Sequence, residues 1–192
     1  MRDRTARDKT VRNSTTGDKK TSAGGRAEAW FTGFAWQRLH WLWIALVIVV
    51  LDQWTKGLAE AHLAMYRPVE ILPFFNLTLA YNEGAAFSFL AGAGGWQRWF
   101  FSLIAVVASV VILLWLLRGR DGPVVALALS LILGGALGNL WDRIALGHVV
   151  DFLDFHWAGW HFPAFNIADA GITVGAALII IDMFTSGRHA HD

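Results

Sequence analysis

Residues 99–143 read WFFSLIAVVASVVILLWLLRGRDGPVVALALSLILGGALGNLWDR, and this stretch decides the fold class. It contains two uncharged runs of 19 residues, 99–117 and 123–141, separated by a short turn that carries Arg118 and Arg120. An α-helix needs about 20 apolar residues to cross the hydrocarbon core of a bilayer. Both runs are therefore predicted to be transmembrane helices, and the short turn makes them antiparallel neighbours.

Two further hydrophobic segments flank this pair. Residues 39–58 carry Asp52 and Lys56 near their far end, and residues 166–184 contain Asp169 near their start. Both segments can span a membrane if these charged residues lie close to an interface. A cleavable signal peptide is a poor interpretation of the first segment, because it follows a long polar tail and precedes no small-residue cleavage site. We predict an all-α polytopic membrane protein with four transmembrane helices.

The composition excludes an ordinary soluble enzyme. Of the 192 residues, 55% are hydrophobic and only 16% are charged, whereas soluble domains carry about 25% charged residues. Residues 1–38 hold nine Lys and Arg against four acidic residues, and the remainder of the chain has a net charge of −4. The absence of Cys excludes disulfides, thiol nucleophiles and Cys-ligated metal sites.

Three regions are predicted from these patterns. Residues 1–38 form a basic, largely disordered cytoplasmic tail, because the first 25 residues lack any apolar period. Residues 26–41 could form a short interfacial helix that leads into the membrane. A nucleic-acid-binding arm is the alternative for the tail, but no aromatic residues are interleaved with its charges. Residues 39–185 form the membrane domain, and residues 186–192 form a short cytoplasmic tail.

The two longer loops between the spans have the character of strands. Residues 76–81 roughly alternate polar and apolar side chains, and residues 148–165 are extended in character and rich in Trp and Phe. Both loops suit a small sheet at the membrane surface, with its aromatic residues among the lipid headgroups. The chain contains no internal repeat, so a duplicated transporter architecture gains no support.

Polar residues within membrane segments are energetically costly, and each is therefore a candidate for function. Asp52 and Lys56 are four residues apart on one helix face and can form an ion pair. The pair either fixes the end of the first helix or helps to organise an active site. Asn82 and Gly84 lie beside the predicted strand, where an ordinary turn explains them equally well.

A polar stripe ends the third hydrophobic segment. Gly135, Asn139, Asp142 and Arg143 are spaced so that they share one face of a helix. A functional site is one explanation of this stripe. A purely structural clamp between Asp142 and Arg143 is the other.

The fourth segment and the loop before it bring carboxyl groups together. Asn166 is placed to cap the fourth helix, and Asp169 lies in its first turn, where the helix dipole favours a negative charge. If residues 149–157 are extended, Asp151 and Asp154 point to opposite faces, and only one of them points at Asp169. Two neighbouring carboxylates cannot readily both ionise, and their shared proton suits acid–base activation of water.

Five motifs together resemble the lipoprotein signal peptidase family, also called signal peptidase II. They are D-Q-x-T-K (52–56), N-E-G-A-A-F (82–87), G-N-L-x-D-R (138–143), V-V-D-F (149–152) and F-N-I-A-D (165–169). Any one motif would be weak evidence, but all five occur in the order of the family and at its approximate spacing. The resemblance covers about residues 39–185.

The resemblance implies a bacterial inner-membrane aspartyl endopeptidase with four transmembrane helices and a small periplasmic β-cradle. Such an enzyme removes the signal peptide from diacylglyceryl-modified prolipoproteins, just before the lipidated cysteine. By their positions in the motifs, Asp151 and Asp169 match the catalytic aspartates, and neither a metal nor an organic cofactor is needed. The residues that match the substrate-binding or site-shaping positions are Asp52, Lys56, Asn82, Gly84, Asn139, Asp142, Arg143 and Asn166. We expect a monomer whose partners are prolipoproteins and membrane lipids, and not nucleic acid.

Two other classes of protein are alternatives. A proton-coupled carrier could use Asp151 and Asp169 as relay groups, but its polar residues should be spread through the depth of the membrane. Here they concentrate at one end of the helices. A non-catalytic membrane scaffold would leave the polar clusters without a purpose.

The charge pattern predicts the orientation in the membrane. The basic tail and the turn with Arg118 and Arg120 place both termini in the cytoplasm and the active site near the periplasmic face. Reporter fusions after residue 120 and after Asp192 should therefore show a cytoplasmic location, and a fusion near Trp96 should show a periplasmic one. The reverse pattern would overturn the orientation.

Overall fold

The computed structural model describes residues 36–84, 95–119 and 121–186, with side chains from residue 38 onward. Several predictions concern residues outside these ranges. They include the tail and most of the interfacial helix, residues 85–87 of the second motif, Arg120, and residues 187–192 at the C-terminus.

Within the described ranges, four helices are long and apolar enough to span a membrane, which confirms the predicted fold class. A 3₁₀-helix at Trp36–Trp41 precedes the first of them, and the four are α1 (Leu42–His62), α2 (Trp96–Arg118), α3 (Pro123–Ala145) and α4 (Ile167–Ser186). Pro123 begins α3 at a position where a helix needs no backbone N–H. α3 runs past the predicted end at residue 141, so Asp142 and Arg143 belong to its last turn.

α3 is the central helix of the membrane domain and packs against the other three. Two glycines permit these close contacts. An ideal Cβ on Gly135 would lie 2.2 Å from the Ala168 carbonyl oxygen of α4, and one on Gly138 would lie 2.7 Å from a carboxylate oxygen of Asp52. Any larger residue at either position would therefore push α3 away from α4 or α1.

The described residues also form a four-stranded antiparallel sheet in the order β1-β2-β3-β4. Its strands are β1 (Val69–Leu72), β2 (Phe75–Asn82), β3 (Val149–Trp157) and β4 (Trp160–His161). The two loops predicted to be extended thus supply its strands. β1 follows the end of α1, β3 follows the end of α3, and α4 begins after β4, so the sheet lies at one end of the helices. We call this the sheet end.

The path of the chain between β4 and α4 is fixed by β3. The Leu153 N–H donates to the Phe165 carbonyl at 2.9 Å, and the Phe165 N–H donates to the Leu153 carbonyl at 3.1 Å. This reciprocal pair holds Asn166 beside β3, one residue before α4 begins. Asp151 lies opposite Ala80 of β2 in the same sheet. The strands therefore bring Asp151 next to the start of α4.

Candidate active site

A lysine ammonium group is buried at the sheet end of the helices. Lys56 Nζ lies 2.6 Å from Asp52 Oδ2 and 2.8 Å from Asp142 Oδ2, and it donates to Asn139 Oδ1 at 3.1 Å. The side chains of the three charged residues are at most 3% exposed. The predicted pair of Asp52 and Lys56 is confirmed, and Asp142 from α3 joins it. We call these three residues the ion cluster.

The two carboxylates of the ion cluster also bind groups from other elements. Asp52 Oδ1 accepts the Ala168 backbone N–H of α4 at 2.9 Å, and Asp142 Oδ2 accepts the Val150 backbone N–H of β3 at 3.2 Å. Gln53 Nε2 donates to Asp142 Oδ1 at 2.8 Å. The ion cluster therefore ties α1 to α3, α4 and β3.

Asn139 of α3 connects the ion cluster to Asp169. Its Oδ1 accepts a hydrogen bond from Lys56 Nζ at 3.1 Å, and its Nδ2 donates to Asp169 Oδ1 at 2.7 Å. Because an ammonium group only donates and an ionised carboxylate only accepts, the side-chain amide of Asn139 has one favoured orientation.

Asn166 contacts both of the predicted catalytic aspartates. Its Oδ1 accepts the Asp169 backbone N–H at 2.9 Å, and Asp169 Oδ2 accepts the Asn166 backbone N–H at 3.4 Å. This reciprocal pattern is a capping box, and it confirms the predicted cap of α4. Asn166 Nδ2 also donates to Asp151 Oδ1 at 2.8 Å. The side-chain amide of Asn166 thus links the Asp151 carboxyl to the backbone of Asp169.

The Asp151 carboxyl lies on β3 and is 3% exposed. Its second oxygen accepts a hydrogen bond from Asn82 Nδ2 at 3.1 Å. Burial, followed by the negative charge of Asp169, raises the pKa of Asp151 to about 7, although the hydrogen bonds from Asn82 and Asn166 act in the opposite direction. The Asp151 carboxyl is therefore partly protonated near neutral pH.

Gly84 and Arg143 complete the outline of the site. The Gly84 N–H donates to Asn82 Oδ1 at 2.9 Å in a turn where Gly84 has a φ of 99°. An ideal Cβ on Gly84 would lie 2.6 Å from the Phe101 ring of α2, so both the backbone conformation and the packing require glycine. The Arg143 guanidinium lies 5.4 Å from the centre of the same ring and donates to the Asn139 carbonyl at 3.2 Å.

Asp154 belongs to a separate set of contacts within the sheet. Its carboxylate accepts a hydrogen bond from Asn76 Nδ2 at 3.1 Å and lies 2.8 Å from His161 Nδ1. These partners come from β2 and β4, whereas Asp151 binds Asn82 and Asn166. The alternation predicted for residues 149–157 therefore separates the two aspartates as expected.

The structure brings the predicted site residues together at the sheet end. They are Asp52, Lys56, Asn82, Gly84, Asn139, Asp142, Arg143, Asp151, Asn166 and Asp169. In the structure Asp142 forms an ion pair with Lys56 at 2.8 Å, whereas the alternative explanation of the α3 stripe expected Asp142 to clamp Arg143. Consecutive residues on a helix do not face each other, which disfavours a clamp between these two neighbours.

Sequence reasoning missed Gln53 and the backbone donors of the ion cluster. Gln53 lies in the first motif and within the first membrane segment, so the cost of a polar residue there could have identified it. The N–H groups of Val150 and Ala168 have no signature in the sequence, because every residue except proline carries one. Only the tertiary arrangement identifies them.

The chain is similar in sequence and structure to known bacterial proteins. A family model described as signal peptidase (SPase) II matches residues 44–185. The lipoprotein signal peptidase of Pseudomonas aeruginosa (strain UCBPP-PA14) is 55% identical over 160 residues, which cover 80% of this chain and 95% of that protein. The lipoprotein signal peptidase of Pseudomonas syringae pv. tomato is 57% identical over 154 residues, which cover 79% and 89%.

Two solved structures are also similar to this chain. The first is a bacterial membrane enzyme determined by the in meso method at 2.3 Å resolution, with a TM-score of 0.69 and 34% sequence identity. The match covers 77% of this chain and 89% of that chain. A second bacterial membrane enzyme, at 1.9 Å resolution, has a TM-score of 0.67 and 35% identity. That match covers 75% of this chain and 92% of the other.

Replacement of the buried lysine should destabilise the fold. Lys56→Met leaves the carboxylates of Asp52 and Asp142 buried without their counter-charge, and we expect a loss of about 3–5 kcal/mol in the free energy of unfolding. The measurement is denaturant or thermal unfolding of the purified protein in detergent.

A second substitution separates lost charge compensation from lost packing. Adding Asp142→Asn to Lys56→Met removes one unpaired carboxylate, so the double variant should be more stable than Lys56→Met alone. Asp182→Asn, which removes a carboxylate in α4 away from the ion cluster, is the control and should have little effect. A Lys56→Met protein as stable as the wild type would contradict the role of the ion cluster.

Proposed function

Because the chain belongs to the signal peptidase II family, we propose that this membrane-embedded protease removes the signal peptide from diacylglyceryl-modified bacterial prolipoproteins. It cleaves just before the lipidated cysteine, and a water molecule activated by Asp151 and Asp169 attacks the peptide bond. Relatives more than 50% identical carry the name lipoprotein signal peptidase, which supports prolipoproteins as the substrate class.

The observation that carries the proposed mechanism is the bridged pair of aspartates. Asn166 contacts both Asp151 and Asp169, and burial and the Asp169 charge raise the pKa of Asp151 to about 7. Near neutral pH such a pair holds roughly one proton between its two carboxyls. This is the protonation state that aspartic peptidases use to activate water. We call Asp151 and Asp169 the aspartate pair.

The proposed reaction uses both members of the aspartate pair. The ionised carboxylate accepts a proton from water while the water oxygen bonds to the carbonyl carbon of the scissile peptide. The protonated carboxyl donates a hydrogen bond to the carbonyl oxygen, where negative charge develops. Collapse of the tetrahedral intermediate breaks the C–N bond, and a proton passes to the leaving nitrogen. The products are a carboxyl terminus on the signal peptide and a free amino group on the lipidated cysteine.

The hydrogen-bond donors to the aspartate pair are neutral groups, so they do not force both carboxyls to ionise. Asn82, Asn139 and Asn166 donate hydrogen bonds from neutral amides. A cation placed directly against the pair would favour two ionised carboxylates and remove the shared proton. The nearby Lys56 charge is balanced by Asp52 and Asp142 within the ion cluster. The Arg143 guanidinium also attracts the Asp169 and Asp151 carboxylates. Burial of the Asp151 carboxyl acts against this attraction and supports a pair that keeps one proton.

The sheet end is a suitable place for a membrane-tethered substrate. The ends of α1 and α3 meet the start of α4 there, at the boundary between apolar helices and the sheet. We place this boundary at the periplasmic face of the bacterial inner membrane. The acyl chains of the substrate remain in the lipid, where α2 presents apolar side chains such as Leu103 and Val107. Each CH₂ buried in the membrane contributes about 0.8 kcal/mol to anchoring, so the acyl chains hold the substrate at the depth of the site.

Substitution of either member of the aspartate pair should nearly abolish turnover. Asp151→Asn and Asp169→Asn keep the shape of the side chain but remove the ionisable carboxyl, so each should lower the rate by about 10³-fold or more. Because the two act as a unit, the double variant should be little worse than either single one. The measurement is cleavage of a diacylglyceryl prolipoprotein by purified protein in detergent, with folding checked by thermal unfolding.

Asp154→Asn is the matched control on the same strand. It should keep most activity, because Asp154 Oδ2 lies within hydrogen-bond distance of both Asn76 and His161, and an amide oxygen at that position can still accept both hydrogen bonds. The activity of Asp142→Asn should lie between that of Asp154→Asn and that of the aspartate-pair variants, since the ion cluster loses a charge while the aspartate pair remains. An inactive Asp154→Asn protein beside a folded and active Asp151→Asn protein would overturn the assignment of the pair.

The pH dependence should report the proton held by the aspartate pair. An acid with a raised pKa keeps its proton to higher pH, so kcat/KM should fall as the pH rises through about 7, where Asp151 ionises. Asn82→Ala removes a hydrogen bond that lowers the pKa of Asp151, and it should move this fall to higher pH. Tyr81→Phe, at the neighbouring position of β2, is the control and should leave the midpoint unchanged. An unshifted midpoint in Asn82→Ala would argue against Asp151 as the titrating group.

A further inference from the structure

One aromatic ring of α2 packs directly against the site, although none of the five motifs includes a residue of this helix. Phe101 lies in the second turn of α2 and is half-buried. An ideal Cβ on Gly84 would lie 2.6 and 2.7 Å from two carbon atoms of the Phe101 ring, so the ring is in close contact with the turn after β2. The central carbon of the Arg143 guanidinium lies 5.4 Å from the centre of the same ring. Phe101 therefore contacts site residues from two different elements.

The contact with Gly84 supports the side-chain amide of Asn82. The Gly84 N–H donates to Asn82 Oδ1 at 2.9 Å, and this bond leaves Asn82 Nδ2 to donate to Asp151 Oδ2 at 3.1 Å. If Gly84 moved towards α2, the Asn82 oxygen would lose its donor and the amide would be free to rotate. The Phe101 ring blocks this movement, because close-packed atoms leave no space for it.

The contact with Arg143 holds a positive charge near the aspartate pair. A guanidinium within about 6 Å of an aromatic ring is attracted by the electrons of the ring face. Arg143 Nη1 also donates to the Asn139 carbonyl at 3.2 Å, so the guanidinium is held by its own helix and by the Phe101 ring. Its charge interacts with the carboxylates of Asp169 and Asp151. The position of the guanidinium therefore affects the charge balance of the aspartate pair.

The neighbouring aromatic residues of α2 have a different environment. Phe100 is 47% exposed, and its ring meets the Phe101 ring edge-on with 5.4 Å between the centres. Trp99 is 63% exposed, and its ring carries a cation–π contact with Arg98 of the same helix at 4.8 Å. Trp99 thus offers the same kind of contact as Phe101 on an exposed face of α2, which makes it a suitable control.

We propose that Phe101 is a positioning residue for the peptide-bond cleavage proposed above. Its contact with Gly84 keeps the Asn82 amide directed at Asp151. Its contact with Arg143 keeps the guanidinium beside the aspartate pair. The ring has no group that could transfer a proton, so it acts through these neighbours. The inference rests on the proposed function, because it concerns the same reaction at the same site.

The first measurement is cleavage of a diacylglyceryl prolipoprotein by the full-length protein in detergent. Phe101→Leu and Phe101→Met remove the aromatic ring, and each should lower kcat by about tenfold, because the cation–π contact and the support of Gly84 are lost. Phe101→Tyr keeps the ring and should keep most activity. Trp99→Leu, the control on the exposed face of α2, should leave kcat unchanged. Thermal unfolding of each variant shows that it is folded.

The pH dependence distinguishes positioning from a general loss of stability. The hydrogen bond from Asn82 lowers the pKa of Asp151, and without the Phe101 ring this bond is less well held. The fall of kcat/KM near pH 7 should therefore move to higher pH in Phe101→Leu, in the same direction as in Asn82→Ala. In the Asn82→Ala background, Phe101→Leu should add much less than the shift it causes in the wild type, because both changes act on one hydrogen bond. A loss of stability alone would leave the midpoint of the folded protein unchanged.

The outcomes separate this inference from the proposed function. Folded Phe101→Leu and Phe101→Met proteins with wild-type kcat and an unshifted midpoint would contradict the positioning role, while Asp151→Asn remained inactive. Equal losses in Phe101→Tyr and Phe101→Leu, or fully additive pH shifts in the double variant, would also contradict it. The proposed function fails differently: the wild type would not cleave the prolipoprotein, or Asp151→Asn would cleave it as fast as the wild type. That result would overturn both proposals.

Discussion

The Lys56 ammonium, buried between Asp52 and Asp142, is the interaction on which the arrangement of the sheet end depends. Removing a charge from water costs several kcal/mol, and good geometry with additional hydrogen bonds is needed to offset that cost. The two carboxylates come from α1 and α3, and each also accepts a backbone N–H, from Ala168 of α4 or Val150 of β3. A displacement of α4 or β3 would therefore leave a buried acceptor unsatisfied.

The ion cluster and the aspartate pair meet opposite electrostatic requirements at the same end of the helices. The ion cluster contains a cation, which compensates the charge of its two buried carboxylates. The hydrogen bonds to Asp151 and Asp169 come from asparagine amides and backbone N–H groups, and burial raises the pKa of Asp151 to about 7. Asn139 separates the two groups, since its oxygen faces Lys56 and its nitrogen faces Asp169.

Those parts of the structure that follow from local periodicity and membrane thickness could be predicted from the sequence. The length of the apolar runs predicted the four spans, and the spacing of four residues predicted the pair of Asp52 and Lys56. The two-residue period of a β-strand predicted that the side chains of Asp151 and Asp154 lie on opposite faces. The pairing of Asp142 with Lys56 could not be predicted, because it depends on the relative positions of α1 and α3. The backbone donors from α4 and β3 likewise depend on packing, which no single residue encodes.

Placing Asp151 on a strand has a consequence that a helix would not provide. The Val150 N–H donates to Asp142 of the ion cluster. The next residue, Asp151, belongs to the aspartate pair and accepts a hydrogen bond from Asn166. Two consecutive residues of β3 therefore connect the strand to the ion cluster and to the aspartate pair. A shift of the strand by one residue would exchange its faces and break both connections at once. The reciprocal hydrogen bonds between Leu153 and Phe165 resist such a shift. The register of the sheet therefore helps to hold the ion cluster and the aspartate pair in place.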